Sequence, residues 1–126
     1  MSFKRAQRVS EAIKREVSVM LTREVKDPGI HFVTVTEVRT TDDLRNTRIF
    51  VSVLGDEQAR AESMEALERA KGFLRGELGR RLSLRYAPEI HFTLDTTLDN
   101  AMRIKGLLDS VKPHPSADDG QKNDPA

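Results

Sequence analysis

An α+β domain, with helices packed on one face of a small sheet, is the fold class that three observations predict. Two β-branched runs of alternating polarity, Phe32-Val33-Thr34-Val35-Thr36-Glu37-Val38 and Thr47 to Leu54, flank a polar stretch and read as a hairpin. Apolar residues spaced by three and four mark helices on either side of that hairpin. A third alternating run, Glu89 to Asp95, follows Tyr86-Ala87-Pro88, which stops the preceding helix. The predicted order is α-β-β-α-α-β, a two-layer arrangement.

Each element has a local reason. Val9, Ala12, Ile13, Val17, Met20 and Leu21 place an amphipathic helix over about Arg8 to Glu24. Lys26-Asp27-Pro28-Gly29 ends it, because proline disfavours helical geometry at the residue before it and glycine permits a tight reversal. In the first strand the alternation Val33, Val35 slips to Val38, which predicts a bulge near Glu37. Thr41 to Asn46 forms the hairpin loop, and Ile49, Val51 and Val53 of the second strand face one way. Asp56 is a candidate N-cap for a helix from Glu57, whose stripe is Met64, Leu67, Ala70, Leu74, Leu78 and Leu82. Gly72, Gly76 and Gly79 interrupt that stripe, each costing a continuous helix roughly 1 kcal/mol relative to alanine, so a kink or break into two helices is expected. The third strand turns Ile90, Phe92 and Leu94 inward, and a last short helix is expected over Leu98 to Val111.

The chain of 126 residues has room for one core. Residues 1–112 form the predicted domain, and the Pro-, Asp-, Asn- and Gly-rich stretch 113–126 is expected to be disordered. There is no tryptophan and little aromatic residue, so the core is aliphatic, with Phe50, Phe73 and Tyr86 expected mostly inside it. No cysteine means no disulfide, thiolate nucleophile or cysteine-bound zinc. No apolar run approaches a membrane span and the start lacks a signal-peptide core, so cytoplasm is the natural reading. No surplus apolar stripe calls for a dimer, and a monomer is expected.

Charge pattern carries more than the net charge of +1. Asp118, Asp119 and Asp124 against Lys122 leave the tail negative and the domain positive. Lys4, Arg5, Arg8, Lys14 and Arg15 give the first helix a basic surface, against the preference of a helix N-terminus for anions. Between Arg69 and Phe92, Arg69, Lys71, Arg75, Arg80, Arg81 and Arg85 are opposed by Glu77 alone until Glu89. A basic surface over a leucine stripe suits a phosphate backbone better than catalysis.

The element order, with a helix–turn–helix before the last strand, describes the type II KH fold, an RNA-binding architecture. Several segments, in series, carry a resemblance to one family. They are Arg8-Val9, Lys26-Asp27-Pro28, Asp43-Leu44, Val51-Ser52-Val53, Ala70-Lys71-Gly72-Phe73-Leu74-Arg75, Arg81-Leu82-x-Leu84-Arg85-x-x-Pro88-Glu89-Ile90-x-Phe92 and Met102-Arg103-Ile104. From about Arg5 to Val111 the chain resembles the ribosome-binding factor A family of bacterial small-subunit assembly factors. That resemblance implies a KH-like domain in which an Ala-x-Gly kink, here Ala70-Lys71-Gly72, replaces the Gly-x-x-Gly clamp. It also implies binding to the 30S subunit, late maturation of 16S rRNA and importance for growth in the cold. Gly76-Glu77-Leu78-Gly79 does fit a Gly-x-x-Gly pattern, but Glu77 would repel phosphate and Leu78 belongs to the apolar stripe.

No catalytic constellation emerges. His31, His91 and His114 lack metal-ligand spacing, neither a nucleophile elbow nor a phosphate loop is present, and Asp42-Asp43 reads as a turn former. Asp95, beside Thr96 and Thr97, reads as a helix cap. A non-enzymatic protein without metal or cofactor is expected, with Lys4, Arg5, Arg8, Lys14, Arg15, Lys71, Arg75, Arg80, Arg81 and Arg85 as RNA contacts. Ala70 and Gly72 would set their geometry, and recognition would be by shape and phosphate with little base readout. The alternative is a protein-interaction module docking on ribosomal proteins or an assembly GTPase.

Overall fold

A computed structural model describes residues 2–30 and 32–97, with side chains from Lys4 onward. The expected helix over 98–111, the 113–126 tail, Met102-Arg103-Ile104, His31 and His114 lie outside the described residues. The elements are α1 (Ser2–Val19), a π-helical turn (Met20–Glu24), β1 (Phe32–Thr40), β2 (Asn46–Leu54), α2 (Glu57–Arg81) and β3 (Glu89–Leu94). All lie in the first of two units, Met1–Leu94 and Asp95–Ala126, into which the chain divides.

β1 and β2 pair antiparallel, from Phe32↔Leu54 to Thr40↔Thr47, and β3 lies parallel on the other side of β2. A parallel neighbour cannot be reached through a tight turn, and α2 supplies the crossover. The predicted bulge is present: the register jumps from Val35↔Val51 to Glu37↔Phe50. Val35, Ile49, Val51 and Ile90 turn to one face and pack with Ile13, Val17 and Met20 from the first helical segment and Leu67, Leu74 and Leu78 from α2. Both helices therefore cover one side of the sheet. Arg48, Phe50, His91 and Thr93 alternate to the other side.

The first helical segment ends in a wider turn than its periodicity suggested. The Val25 N–H donates to the Met20 carbonyl at 2.8 Å, five residues back. Continued α-helical spacing would have placed Glu24, four residues after Met20, on the buried stripe of Ile13, Val17 and Met20. The extra residue in the turn rotates it aside, at no loss of burial for Met20 and Leu21.

α2 corrects the expectation of a break. It is helical without interruption for 25 residues through Ala70-Lys71-Gly72 and on through Gly76 and Gly79, so one helix stands where two were predicted. The glycine cost totals about 3 kcal/mol, whereas burying Leu67, Leu74 and Leu78 returns about 1.5–3 kcal/mol each. Tertiary burial outweighs local propensity. The Asp56 side chain caps the start by accepting from the Ala59 N–H at 2.8 Å, as expected. At the far end Leu84 N–H bonds the Gly79 carbonyl and Ser83 N–H the Arg80 carbonyl, a Schellman motif with Ser83 (φ 52°) in the left-handed position glycine usually takes.

Candidate nucleic-acid interface

Nine of the ten predicted cations divide into two groups. Lys4, Arg5, Arg8, Lys14 and Arg15 are all exposed on α1. Helical spacing puts Lys4, Arg8 and Arg15 directly opposite the buried stripe, with Arg5 and Lys14 on its flanks. Among the described residues none of the five is within ion-pair distance of a carboxylate. The first turn of α1 holds no acidic residue, so Lys4 and Arg5 are displayed there at the expense of the helix dipole.

The α2 group is tied to acids. Arg81 meets Glu77 at 2.8 Å, Glu16 of α1 at 3.3 Å and Glu24 of the π-helical turn at 2.5 Å. Glu24, followed by Glu77, raises its pKa, and the group is a permanent cation joining the end of α2 to the first helical segment. The rotation of Glu24 out of the core is what brings it to Arg81. Arg80 pairs with Glu77 on its own helix. Arg75 donates to the Pro88 carbonyl at 2.9 Å and pairs with Glu89 at 3.1 Å, so it braces the loop into β3. Lys71, partly covered, pairs with the exposed Glu68 at 2.9 Å one turn back, a pair that solvent at the glutamate keeps weak. Ala70 is buried in the core, while Gly72 faces open space. Gly76-Glu77-Leu78-Gly79 is helical, with Leu78 fully buried and Glu77 engaged, so no clamp loop forms there.

Arg85 joins neither group. It lies with Arg5 of α1 and Arg45 of the hairpin loop along a groove that also includes Asp43, Leu44, Leu84 and Tyr86. Tyr86 and Phe73, expected inside, are 48 % and 46 % exposed, because the strands and leucines fill the core without them. Phe50 is half-buried on the open sheet face, beneath the Arg39 guanidinium. Sequence reading missed Arg45: a single arginine in a turn has no periodic signal, and its neighbours appear only when the chain is folded. His91 is exposed beside Asn46. Asp43 acts as the turn former expected, accepting from the Thr41 hydroxyl and the Arg45 N–H, which hold its carboxyl below the usual value. The Asp95 side chain accepts from the Thr97 N–H at 2.9 Å. Among the described residues no group of three His, Cys, Asp or Glu could hold a metal ion, and no helix is long and apolar enough to cross a membrane.

Lys26-Asp27-Pro28-Gly29 does more than stop a helix. Asp27 takes two hydrogen bonds from the Arg69 guanidinium, at 3.0 and 3.1 Å, and one from the Gly29 N–H at 2.9 Å. Arg69, and next Gly29, hold the Asp27 carboxyl below its ordinary 3.8, while Arg81 and then Arg80 hold Glu77 below 4.5. A carboxylate with a lowered folded pKa stabilises fully above its unfolded value, and the contribution is lost as pH falls through the folded one. Melting temperature is therefore expected to be level above about pH 5 and to drop below it. Asp27→Asn should lower it at neutral pH and flatten the acid-side drop. An acid slope identical to that of the unchanged chain would remove Asp27 from this role.

The family model for ribosome-binding factor A matches residues 5–108. The chain belongs to the ribosome-binding factor A family. A relative of that name from Desulfitobacterium hafniense is 46% identical over 124 residues, covering 98% of this chain and 99% of its own. Another from Halothermothrix orenii is 46% identical over 118 residues, covering 94% and 97%. Among solved structures, the crystal structure of ribosome-binding factor A from Thermus thermophilus matches with a TM-score of 0.62 at 25% identity, over 71% of this chain and 94% of that one. The solution structure of a Thermotoga maritima protein described as a putative ribosome binding factor A matches at 0.56 with 35% identity, over 67% and 84%. The shared fold is KH-like, with a three-stranded mixed sheet and two helices.

Proposed function

We propose that this chain binds the 30S subunit late in its assembly and assists maturation of 16S rRNA by occupancy, without catalysis. It acts as a cytoplasmic monomer, and α1 is the phosphate-binding surface. The observation that carries this reading is the set of five exposed α1 cations with no carboxylate partner among the described residues. Cations without a carboxylate partner, three of them on one helix face and two on its flanks, displace condensed counterions from RNA, whereas Arg75 and Arg81 would first have to break pairs already made. Family membership adds the ribosome. A homology model of the Thermus thermophilus family member has been fitted into a cryo-EM map of a 30S complex, and it matches this chain with a TM-score of 0.50 at 25% identity. Lys71, Arg75, Arg80 and Arg81 are retained only as secondary contacts, with Ala70 and Gly72 shaping the helix that carries them.

Binding to 30S subunits measured across a range of salt tests this. Replacing Lys4, Arg8 and Arg15 together by Gln should reduce the slope of log K against log salt by about 3, one for each phosphate no longer neutralised. Replacing Lys71 and Arg80 by Gln should reduce it by less. An unchanged slope for the α1 variant would sink the proposal. It would favour the alternative, docking on ribosomal proteins or an assembly GTPase, for which the register partners Phe32 and Leu54, 75 % and 72 % exposed, offer an apolar patch.

A further inference from the structure

The groove where α1, the hairpin loop and the α2–β3 connection meet has features that a phosphate-only surface does not require. It encloses about 380 Å³ and gathers three arginines, each from a different element: Arg5, Arg45 and Arg85. Elsewhere Arg39, Arg69, Arg75, Arg80 and Arg81 each pair with a carboxylate. Among the described residues the acid lining the groove is Asp43, and its Oδ1 is already taken by the Thr41 hydroxyl at 2.7 Å and the Arg45 N–H at 3.0 Å. Three guanidiniums against one carboxylate, which interacts with Arg45, leave the described part of the groove with net positive charge.

The groove is also lined by the chain's single tyrosine, Tyr86, with the Arg45 guanidinium 4.5 Å and the Arg85 guanidinium 5.6 Å from its ring centroid. The ring contributes little to the core, being half exposed. Both guanidiniums lie over the ring and leave it 48 % exposed, so a base packs on the part they do not cover or takes the place of one of them.

Backbone conformation points to the same place. Among the described residues, the non-glycine residues with positive φ are Leu44 (63°) and Ser83 (52°). Leu44 immediately precedes Arg45, while Ser83, two residues before Arg85, is the left-handed residue of the Schellman motif that ends α2. A left-handed conformation costs a branched side chain such as leucine roughly 1–2 kcal/mol, and such outliers gather at functional sites. Both are held by the chain around them. Leu44 N–H bonds the Thr41 carbonyl at 2.8 Å, and Glu89 N–H bonds the Arg45 carbonyl at 2.7 Å, so the hairpin loop is fastened to the start of β3. The arginines are thus carried on a preformed frame.

An exposed aromatic ring between cations is the chemistry that takes an unstacked nucleobase with its adjoining phosphates. A base within a duplex has both faces covered by its neighbours and cannot use the ring. We infer that the groove of Arg5, Arg45, Arg85 and Tyr86 binds one unpaired nucleotide of RNA, its base stacked on Tyr86 and its flanking phosphates on the arginines. The interaction is tolerant of sequence, since every base has a π face. This rests on the RNA-binding reading above and adds to it a single-stranded element and a place where it is held.

Because Tyr86 is the only tyrosine and there is no tryptophan, tyrosine emission of the unmodified chain reports on this ring alone. The probes are a short single-stranded RNA of mixed sequence with a terminal dye, and the same strand annealed to its complement. Dye anisotropy gives binding, and tyrosine emission, corrected against free tyrosine amide at equal RNA absorbance, gives stacking. The expected result is quenching that saturates in step with anisotropy for the single strand and is absent for the duplex. Tyr86→Leu should weaken single-strand binding roughly 5- to 100-fold, the range for loss of one base–aromatic stack, and Tyr86→Phe should bind like the unchanged chain. Arg45→Gln with Arg85→Gln, which keeps the tyrosine, should weaken binding and quenching together. Binding with no quenching, or Tyr86→Leu binding as the unchanged chain does, overturns the groove and leaves the α1 surface standing. No binding of either RNA overturns both.

Discussion

Leu74→Ala is expected to lower the free energy of unfolding by about 2–5 kcal/mol, read from urea unfolding followed by far-ultraviolet circular dichroism. Leu74 lies in the middle of α2, is fully inaccessible to solvent and belongs to the same cluster as Ile13, Val17, Ile49 and Ile90. Truncation removes buried methyl groups and leaves a cavity that a helix pinned at both ends cannot close. Asp56 fixes the start of α2, and Arg81 fixes its end to Glu16 and Glu24. For a domain whose total stability is of the order of 5–15 kcal/mol, a loss of this size takes a visible fraction of the chain into the unfolded state. Phe73→Ala, one residue earlier and 46 % exposed, is the control and should cost much less. Equal losses at the two positions would mean that the stripe of α2 has been assigned to the wrong face.

Gly72→Ala combined with Gly76→Ala is expected to raise stability by about 2 kcal/mol, an increase in urea midpoint with unchanged slope. Both glycines are in the interior of α2, and a β-carbon added at either would meet nothing within 4 Å. Neither has a positive φ, so alanine introduces no strain and removes conformational freedom from the unfolded chain. The single variants separate stability from any use of a bend. If the helix must bend at Ala70-Lys71-Gly72 on the ribosome, Gly72→Ala alone should weaken co-sedimentation with 30S subunits while Gly76→Ala, one turn on, leaves it intact. Equal binding by the two would show that no such bend is used.

The two cationic groups differ in what their charge does, although both are runs of Lys and Arg in the sequence. On α1 the cations form no ion pair among the described residues, although Glu11 shares their face, and Lys4 and Arg5 in the first turn oppose the helix dipole. On α2, Arg81 alone contacts carboxylates on three segments, so its charge is used within the fold. Arg81 is a joint between α2 and the first helical segment, and its replacement would confuse any binding assay with a loss of structure.

Local pattern was enough to determine the strands, their bulge, the Asp56 cap, the aliphatic core and the basic face of α1. Each depends on residues a few positions apart, and two- and three-to-four-residue periodicities record which side chains turn inward. The Lys26-Asp27-Pro28 stop was legible for the same reason, but its hold on Arg69, 42 residues away, was not. Only the tertiary structure decided that α2 runs unbroken, since the leucines that outweigh its glycines gain their energy from strands and a helix distant in sequence. The π-helical turn was decided there too, because a glutamate on an apolar stripe becomes meaningful only when an arginine is waiting beside it. Tyr86 and Arg45 belong to the same class: which aromatic is left outside, and which cations surround it, is settled by how much volume the core can hold and where loops meet, and no stretch of sequence contains either quantity.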